Sequence, residues 1–281
     1  MLQLKTFGIL HLRGPGAAST DALLAQPRST ALLLYLLLAR PRGYVSRDTL
    51  CLLFWPDSDE EHARGALSQA LSRIRRFVGP DILEARGKSE LRILPGSVVC
   101  DVLALEEAAA AGDHQAALEI YGGPFLSGFH AQNAPGFEEW AAGERERLRR
   151  MAVEAARGLT HQLIGENRLP EAARAASRAL TLAPESEPTA AELVRALAEA
   201  GDRPGALHLY DSWAAILARE LELDPGEDLQ ALAGSLREKS GDGAEHLSAP
   251  STGSQDEAKE LPEAAASRLG VAEDLVRETS P

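Results

Sequence analysis

The stretch "ALSQALSRIRRFVG", Ala66 to Gly79, sets Arg73, Arg75 and Arg76 within four residues, with Ser68, Gln69 and Ser72 just ahead of them. A guanidinium forks onto two acceptors at once, a glutamine amide donates and accepts side by side, and a hydroxyl does either. Groups of this kind suit base edges in a duplex major groove, arginine on guanine O6 and N7 and glutamine on adenine. Arg64 stands upstream of them, while Arg86 and Lys88 follow near a glycine, where a hairpin tip could meet phosphates.

Other chemistry finds little support. The chain has no phosphate-cradling G-x-x-x-x-G-K-[ST], no H-E-x-x-H and no G-x-S-x-G. "GPGAAS", Gly14 to Ser19, lacks the strand-then-helix setting of a dinucleotide fingerprint and reads as a turn. His208 and Asp211 share a helix face, a surface contact more than a catalytic pair. Asp57, Asp59, Glu60 and Glu61 imitate a metal or phosphoacceptor pocket without the parallel sheet such a pocket needs. Cys51 and Cys100 read as packed thiols, since two cysteines make no disulfide framework and sit at no metal-ligand spacing. No nucleophile and base can be paired, so catalysis, a cofactor and a metal are not expected.

The charge is divided unevenly along the chain. Its 281 residues carry a formal net charge of −13, yet residues 1–100 hold 13 Lys+Arg against 9 Asp+Glu. The remaining residues hold 16 against 33, an acidic body that a polyanion would repel. "ALLLYLLLA", Ala31 to Ala39, falls short of the roughly 20 residues that a membrane helix needs and reads as a buried helix. The expectation is a soluble cytoplasmic protein.

The elements that would position the arginines follow from punctuation. "LQLKTFGILHLRG" alternates like a short antiparallel pair broken near Gly8. One helix runs from about Pro27 to Ala39, stopped by Pro41 and Gly43. A second opens behind Ser46, whose hydroxyl can cap the amide of Asp48 or Thr49, and ends before Pro56. A third is expected behind Ser58 as a capping box with Glu61, running to Val78 before Gly79-Pro80. "ILEARGKSELRIL" then reads as a hairpin around Gly87-Lys88-Ser89. On the third helix, Leu67, Ala70, Leu71, Ile74, Phe77 and Val78 gather on a core face, and Gln69, Ser72 and Arg76 lie opposite. Arg73 and Arg75 flank that polar stripe, with Ser68 beside Arg75, and Gly65 would allow close approach.

"ALSQALSRIRRFVG" resembles the recognition helix of OmpR-type winged-helix regulators, and "LLLYLLLARPRGYVSRDTLCLLFWPD" resembles their preceding helices. The resemblance implies base-reading positions at Gln69 and Arg73, with Arg75 and Arg76 reading or clamping the backbone. The wing departs from the pattern, having "KSELRI" where a "GxGY" is common.

From Asp101, expected to cap the next helix, to about Glu238 the text is Ala, Leu, Glu and Arg at helical spacing. "AGDHQAALEIY" (Ala111 to Tyr121) and "AGDRPGALHLY" (Ala200 to Tyr210) match in register. Ala172 and Ala206 are 34 residues apart, the tetratricopeptide period, and a small residue lets paired helices cross closely. Tyr121, Phe125, Phe129, Phe137, Trp140, Tyr210 and Trp213 are expected in the core. Glu144 to Arg150 is expected to form a solvated, ion-paired face. From Gly241 on, nine acids against three bases and few large apolar groups read as an acidic disordered tail or linker.

"GPFLSGF", "FEEWAAGERERLRR" and "LVRALAEAGDRPGALHLYDSWAAILARELELDPGED" resemble the bacterial transcriptional activator domain, which follows an OmpR-type winged helix in the Streptomyces antibiotic regulatory protein family. The expected fold is mainly α: a winged helix-turn-helix with short antiparallel strands over 1–98, then an all-α tetratricopeptide-like domain over 99–240. The resemblance implies a transcriptional activator that binds promoter direct repeats as a homodimer on double-stranded DNA and recruits RNA polymerase. The residues expected to touch DNA are Arg64, Ser68, Gln69, Ser72, Arg73, Arg75, Arg76, Arg86 and Lys88. The alternative is a tetratricopeptide scaffold whose winged helix docks protein.

Overall fold

The computed structural model describes residues 1–14 and 22–245. The expected turn over Gly14 to Ser19 falls almost wholly, and the expected acidic tail mostly, outside the described residues. The protein is mainly helical, with short strands near the N-terminus and helices after them. Strands β1 (Leu2–Lys5) and β2 (His11–Arg13) pair antiparallel, and β6 (Val98–Cys100) adds to β1 in parallel, Leu4 opposite Cys100. After β2 come α1 (Pro27–Leu38), α2 (Arg47–Phe54) and α3 (Glu60–Val78). Between and after them lie β3 (Val45–Ser46) and the hairpin β4 (Leu83–Arg86) and β5 (Glu90–Ile93). Leu83 faces Ile93, Arg86 faces Glu90, and β3 pairs with β5. Helices, turn and hairpin make a winged helix-turn-helix.

The helical part runs through α4 (Asp101–Ala110), α5 (His114–Ile120), α6 (Pro135–Gly165), α7 (Leu169–Leu182), α8 (Glu187–Glu199), α9 (Arg203–Leu221) and α10 (Glu227–Glu245). The repeat is physical. Ala117, Ala172 and Ala206 are each fully buried where helices cross. The turns ahead of α5, α7 and α9 each pass through a left-handed residue, Gly112 at φ 72°, Asn167 at 58° and Gly201 at 92°. Asp113 and Asp202 then cap their helices by accepting from the amides of Ala116 and Gly205.

Two caps differ from the sequence expectation. Asp59, not Ser58, caps α3: its Oδ1 accepts from the His62 amide at 2.9 Å, one residue later in the chain. Asp101 is the first residue of α4 and reaches back across the chain. Its carboxylate accepts from the Thr6 amide at 2.7 Å, the Thr6 hydroxyl at 2.7 Å and the Phe7 amide at 3.0 Å, besides the Val102 amide at 2.9 Å. A carboxylate outcompetes a hydroxyl wherever several donors converge on it.

The segment between α5 and α6 docks the helices onto the strands. The amide of Gly8 donates to Pro124 O, Leu126 to Thr6 O and Ser127 to Gly8 O, around an isolated Phe7–Phe125 bridge. One continuous core therefore runs from Leu2 through α1–α3 and α4 to Ala155 in α6. Phe137, fully buried, sits 5.8 Å from Phe54 and 5.3 Å from Trp140, ring centre to ring centre. A Cβ on Gly136 would fall 2.6 Å from Leu53 Cδ2 and 3.1 Å from Leu53 Cα, so α6 begins in contact with α2. A second core continues from Ala156 through α7–α9 to Leu236. Of the aromatics expected inside, five are buried, and Phe129 and Trp140 are partly buried against the first core.

The charged run at Glu144 to Arg150 is only partly a solvated face. Glu144 is buried, and Arg147 donates to it and to Glu106 of α4 at 2.6 and 2.8 Å. Glu106 also receives Arg40 and Arg42 from the segment after α1. Burial pushes the Glu106 carboxyl up, but the hydrogen bonds from these arginines outweigh it and hold the group below the usual range. The segment between α5 and α6, with the aromatics beside it, supplies contact between the two halves.

Candidate nucleic-acid interface

Helix α3 owes its two faces to spacing. Ala63, Leu67, Ala70, Leu71 and Ile74 recur at helical intervals and are buried, leaving Arg64, Gly65, Ser68, Gln69, Ser72, Arg73 and Arg76 exposed. Arg75 is half-buried. Acidic residues crowd the first turn and Arg75 and Arg76 the last, each sign at the helix end whose partial charge favours it. The Asp59 carboxyl is held below its usual range by the His62 amide first and the His62 ring second.

Ion pairing separates the predicted residues into two groups. Arg64 bridges Asp48 of α2 and Glu60 at 3.1 and 2.9 Å, and its guanidinium is pushed up, most by the hydrogen bond to Asp48. Arg86 pairs with Glu90, and its guanidinium carbon lies 4.5 Å from the Tyr44 ring centre, as does that of Arg92, which pairs with Glu84. These arginines brace the wing. Among the described residues, no carboxylate pairs with Arg73, Arg75, Arg76 or Lys88. In the helical part, Arg147, Arg149, Arg157 and Arg168 are each gripped by glutamates, while Arg174, Arg178 and Arg195 are in no ion pair among the described residues.

Five of the nine predicted residues border two recesses, and Ser72, Arg75, Arg76 and Arg86 border neither. Toward the wing, Arg64, Ser68 and Lys88 border a recess of about 370 Å³ with Arg47 and Asp48. Ser68 donates its hydroxyl to Arg64 O at 2.9 Å, which leaves its oxygen as an acceptor. Toward α1, Gln69 and Arg73 border a cleft of about 560 Å³. Arg75 and Arg76 lie in the last turn, Arg76 over the Phe77 ring. Arg47 escaped the sequence reading. It opens α2, and its amide donates to Ser89 O at 2.8 Å, which ties the wing tip to the helix. The cap at Ser46, which accepts from the Thr49 amide, was the available signal.

Chemistry of other kinds has little footing. Among the described residues no group of three or more His, Cys, Asp or Glu is placed to hold a metal ion. Burial pushes the Cys100 thiol up to about 12, which keeps it protonated and inert. No helix among the described residues is long and apolar enough to cross a membrane.

A winged helix joined to tetratricopeptide-like helix pairs, with a row of unpaired arginines on its third helix, defines the class of the molecule. Residues 102–237 match the family model of the bacterial transcriptional activator domain. The chain therefore carries a bacterial transcriptional activator domain behind its winged helix. Among solved structures it is similar to Mycobacterium tuberculosis EmbR in complex with a low-affinity phosphopeptide, at a TM-score of 0.51 and 22% identity. The likeness covers 85% of this chain and 65% of that one, so the chain spans about two thirds of EmbR's length. A comparison with curated proteins finds no match.

Proposed function

We propose that the protein is a sequence-specific DNA-binding activator whose α3 enters the major groove. The observation that carries this reading is the outward stripe of α3, where Gln69, Ser72, Arg73 and Arg76 stand exposed with no carboxylate paired to the arginines among the described residues. An unpaired guanidinium beside a carboxamide is available to base edges. Gln69 and Arg73 read bases, Ser68 and Ser72 accept or donate beside them, and Arg75 and Arg76 clamp the strand. Lys88, with Arg47 and Arg86, meets phosphates from the wing side. Arg64 orients α3 against α2 through Asp48. The helical domain serves homodimerisation on direct repeats and contact with RNA polymerase.

The test is selection of duplexes from a random pool by the full chain, followed by affinities at two salt concentrations. Arg73→Ala is expected to cost about 1–3 kcal/mol and to relax preference at one base position. An equal loss on every duplex would remove Arg73 from the reading role. Lys88→Ala is expected to weaken all duplexes alike and to reduce the slope of log affinity against log salt by about one. Absence of any selected duplex, or affinity indifferent to salt, favours the protein-docking scaffold.

A further inference from the structure

The cleft beside Gln69 and Arg73 has a wall that comes from the helical domain. Its floor is α3 and the first turn of α1, and the segment His130–Asn133, just ahead of α6, closes one side. That segment is fixed by its backbone. Ala131 and Ala134 are buried, the Ala131 amide donates to Glu138 Oε1 at 2.6 Å, and Arg28 donates to the carbonyls of Gln132 and Asn133 at 3.0 and 3.1 Å. Arg28 itself lies 5.6 Å from the Trp55 ring centre. The side chains of His130, Gln132 and Asn133 are left exposed.

The chemistry of the cleft points to a polyanion. It collects the guanidiniums of Arg28 and Arg73, an imidazole and four carboxamides, and among the described residues that line it none is a carboxylate, the nearest being Glu138, which meets the His130 ring at 3.4 Å from outside the lining. In a chain of net charge −13 this stands out. The larger groove along α6, of about 830 Å³, is mixed instead, its Glu146, Glu154, Glu185 and Glu192 interleaved with Arg147, Arg149, Arg150 and Arg157. The Gln132 and Asn133 backbone carbonyls are engaged by Arg28, and each side-chain carboxamide presents, beside its acceptor oxygen, an N–H donor suited to phosphate oxygens.

We infer that His130–Asn133 is a second DNA-contacting element, gripping the phosphodiester strand that flanks the groove entered by α3. This rests on the reading of α3 as the groove-entering helix. The helical domain then takes part in binding and lengthens the contacted stretch on the α1 side. Contacts to phosphate carry no base preference, so the segment adds affinity without changing the sequence read.

The experiment uses the full chain and the duplexes it selects from a random pool. Gln132→Ala with Asn133→Ala is expected to lower affinity about 3–10-fold on all duplexes, and Gln132→Glu with Asn133→Asp to lower it further. Hydroxyl-radical protection should recede by about two or three nucleotides at one edge, with base preferences unchanged. The substituted side chains are exposed, so the thermal midpoint should stay put and serve as the folding control. Unchanged affinity and footprint in both double variants, while the parent protein binds, overturns the role of the segment alone. Failure of the parent protein to select any duplex overturns the reading of α3, and the segment's role falls with it.

Discussion

Asp101→Ala lowers the unfolding free energy by about 3–5 kcal/mol, read as a shift of the urea midpoint, because buried donors lose their acceptor together. Thr6 is fully buried, and its amide and hydroxyl both donate to this carboxylate, as does the Phe7 amide. Alanine leaves the Thr6 amide without its partner and no water at hand, which is the costly way to lose a hydrogen bond. Asp101→Asn should recover part of the loss, since one oxygen still accepts. A midpoint within error of the parent protein would mean that solvent reaches Thr6, and the account of this junction would be wrong.

Phe137→Ala carries an effect of similar size, about 3–5 kcal/mol, for removing a fully buried ring from a close-packed site. Its particular interest is where the loss is felt. Phe137 belongs to α6, yet its ring packs on Phe54 of α2, inside the core that also holds Leu67, Leu71 and Ile74 of α3. The variant should therefore lose affinity for duplex DNA at temperatures where the parent protein still binds. Amide exchange on α3 should quicken along with that on α6. Quickened exchange confined to the helical domain would show that the two halves fold apart, against the shared core.

The helices of the winged part were legible because their stops are chemically blunt. Ser46 accepts from the Thr49 amide, and Gly79 at φ 135° ends α3 where the glycine-proline pair predicted an end. The outward stripe was legible too, since an amphipathic period places side chains without help from the rest of the fold. What the sequence concealed was long-range. Strand β6 pairs with β1 across almost the whole winged part, and three residues of β pattern cannot announce that pairing. Glu144 and Arg147 read as solvated because alternating charge describes a helix surface and says nothing of Glu106 arriving from another helix. His130–Asn133 was invisible for the same reason: Arg28, which holds its carbonyls, lies 104 and 105 residues earlier in the chain.

Helix α6 is 31 residues, about 46 Å from end to end, and is embedded in both cores. A strut held along its length by packing cannot swivel at one end without disturbing the other. With α3 in the major groove, as proposed, whatever touches the α8–α10 end is assigned a fixed bearing around the double helix relative to the bases under α3. Moving the binding site by about five base pairs, half a turn, would swing that end to the opposite side of the promoter. Spacing in such a promoter becomes a matter of angle as much as of distance.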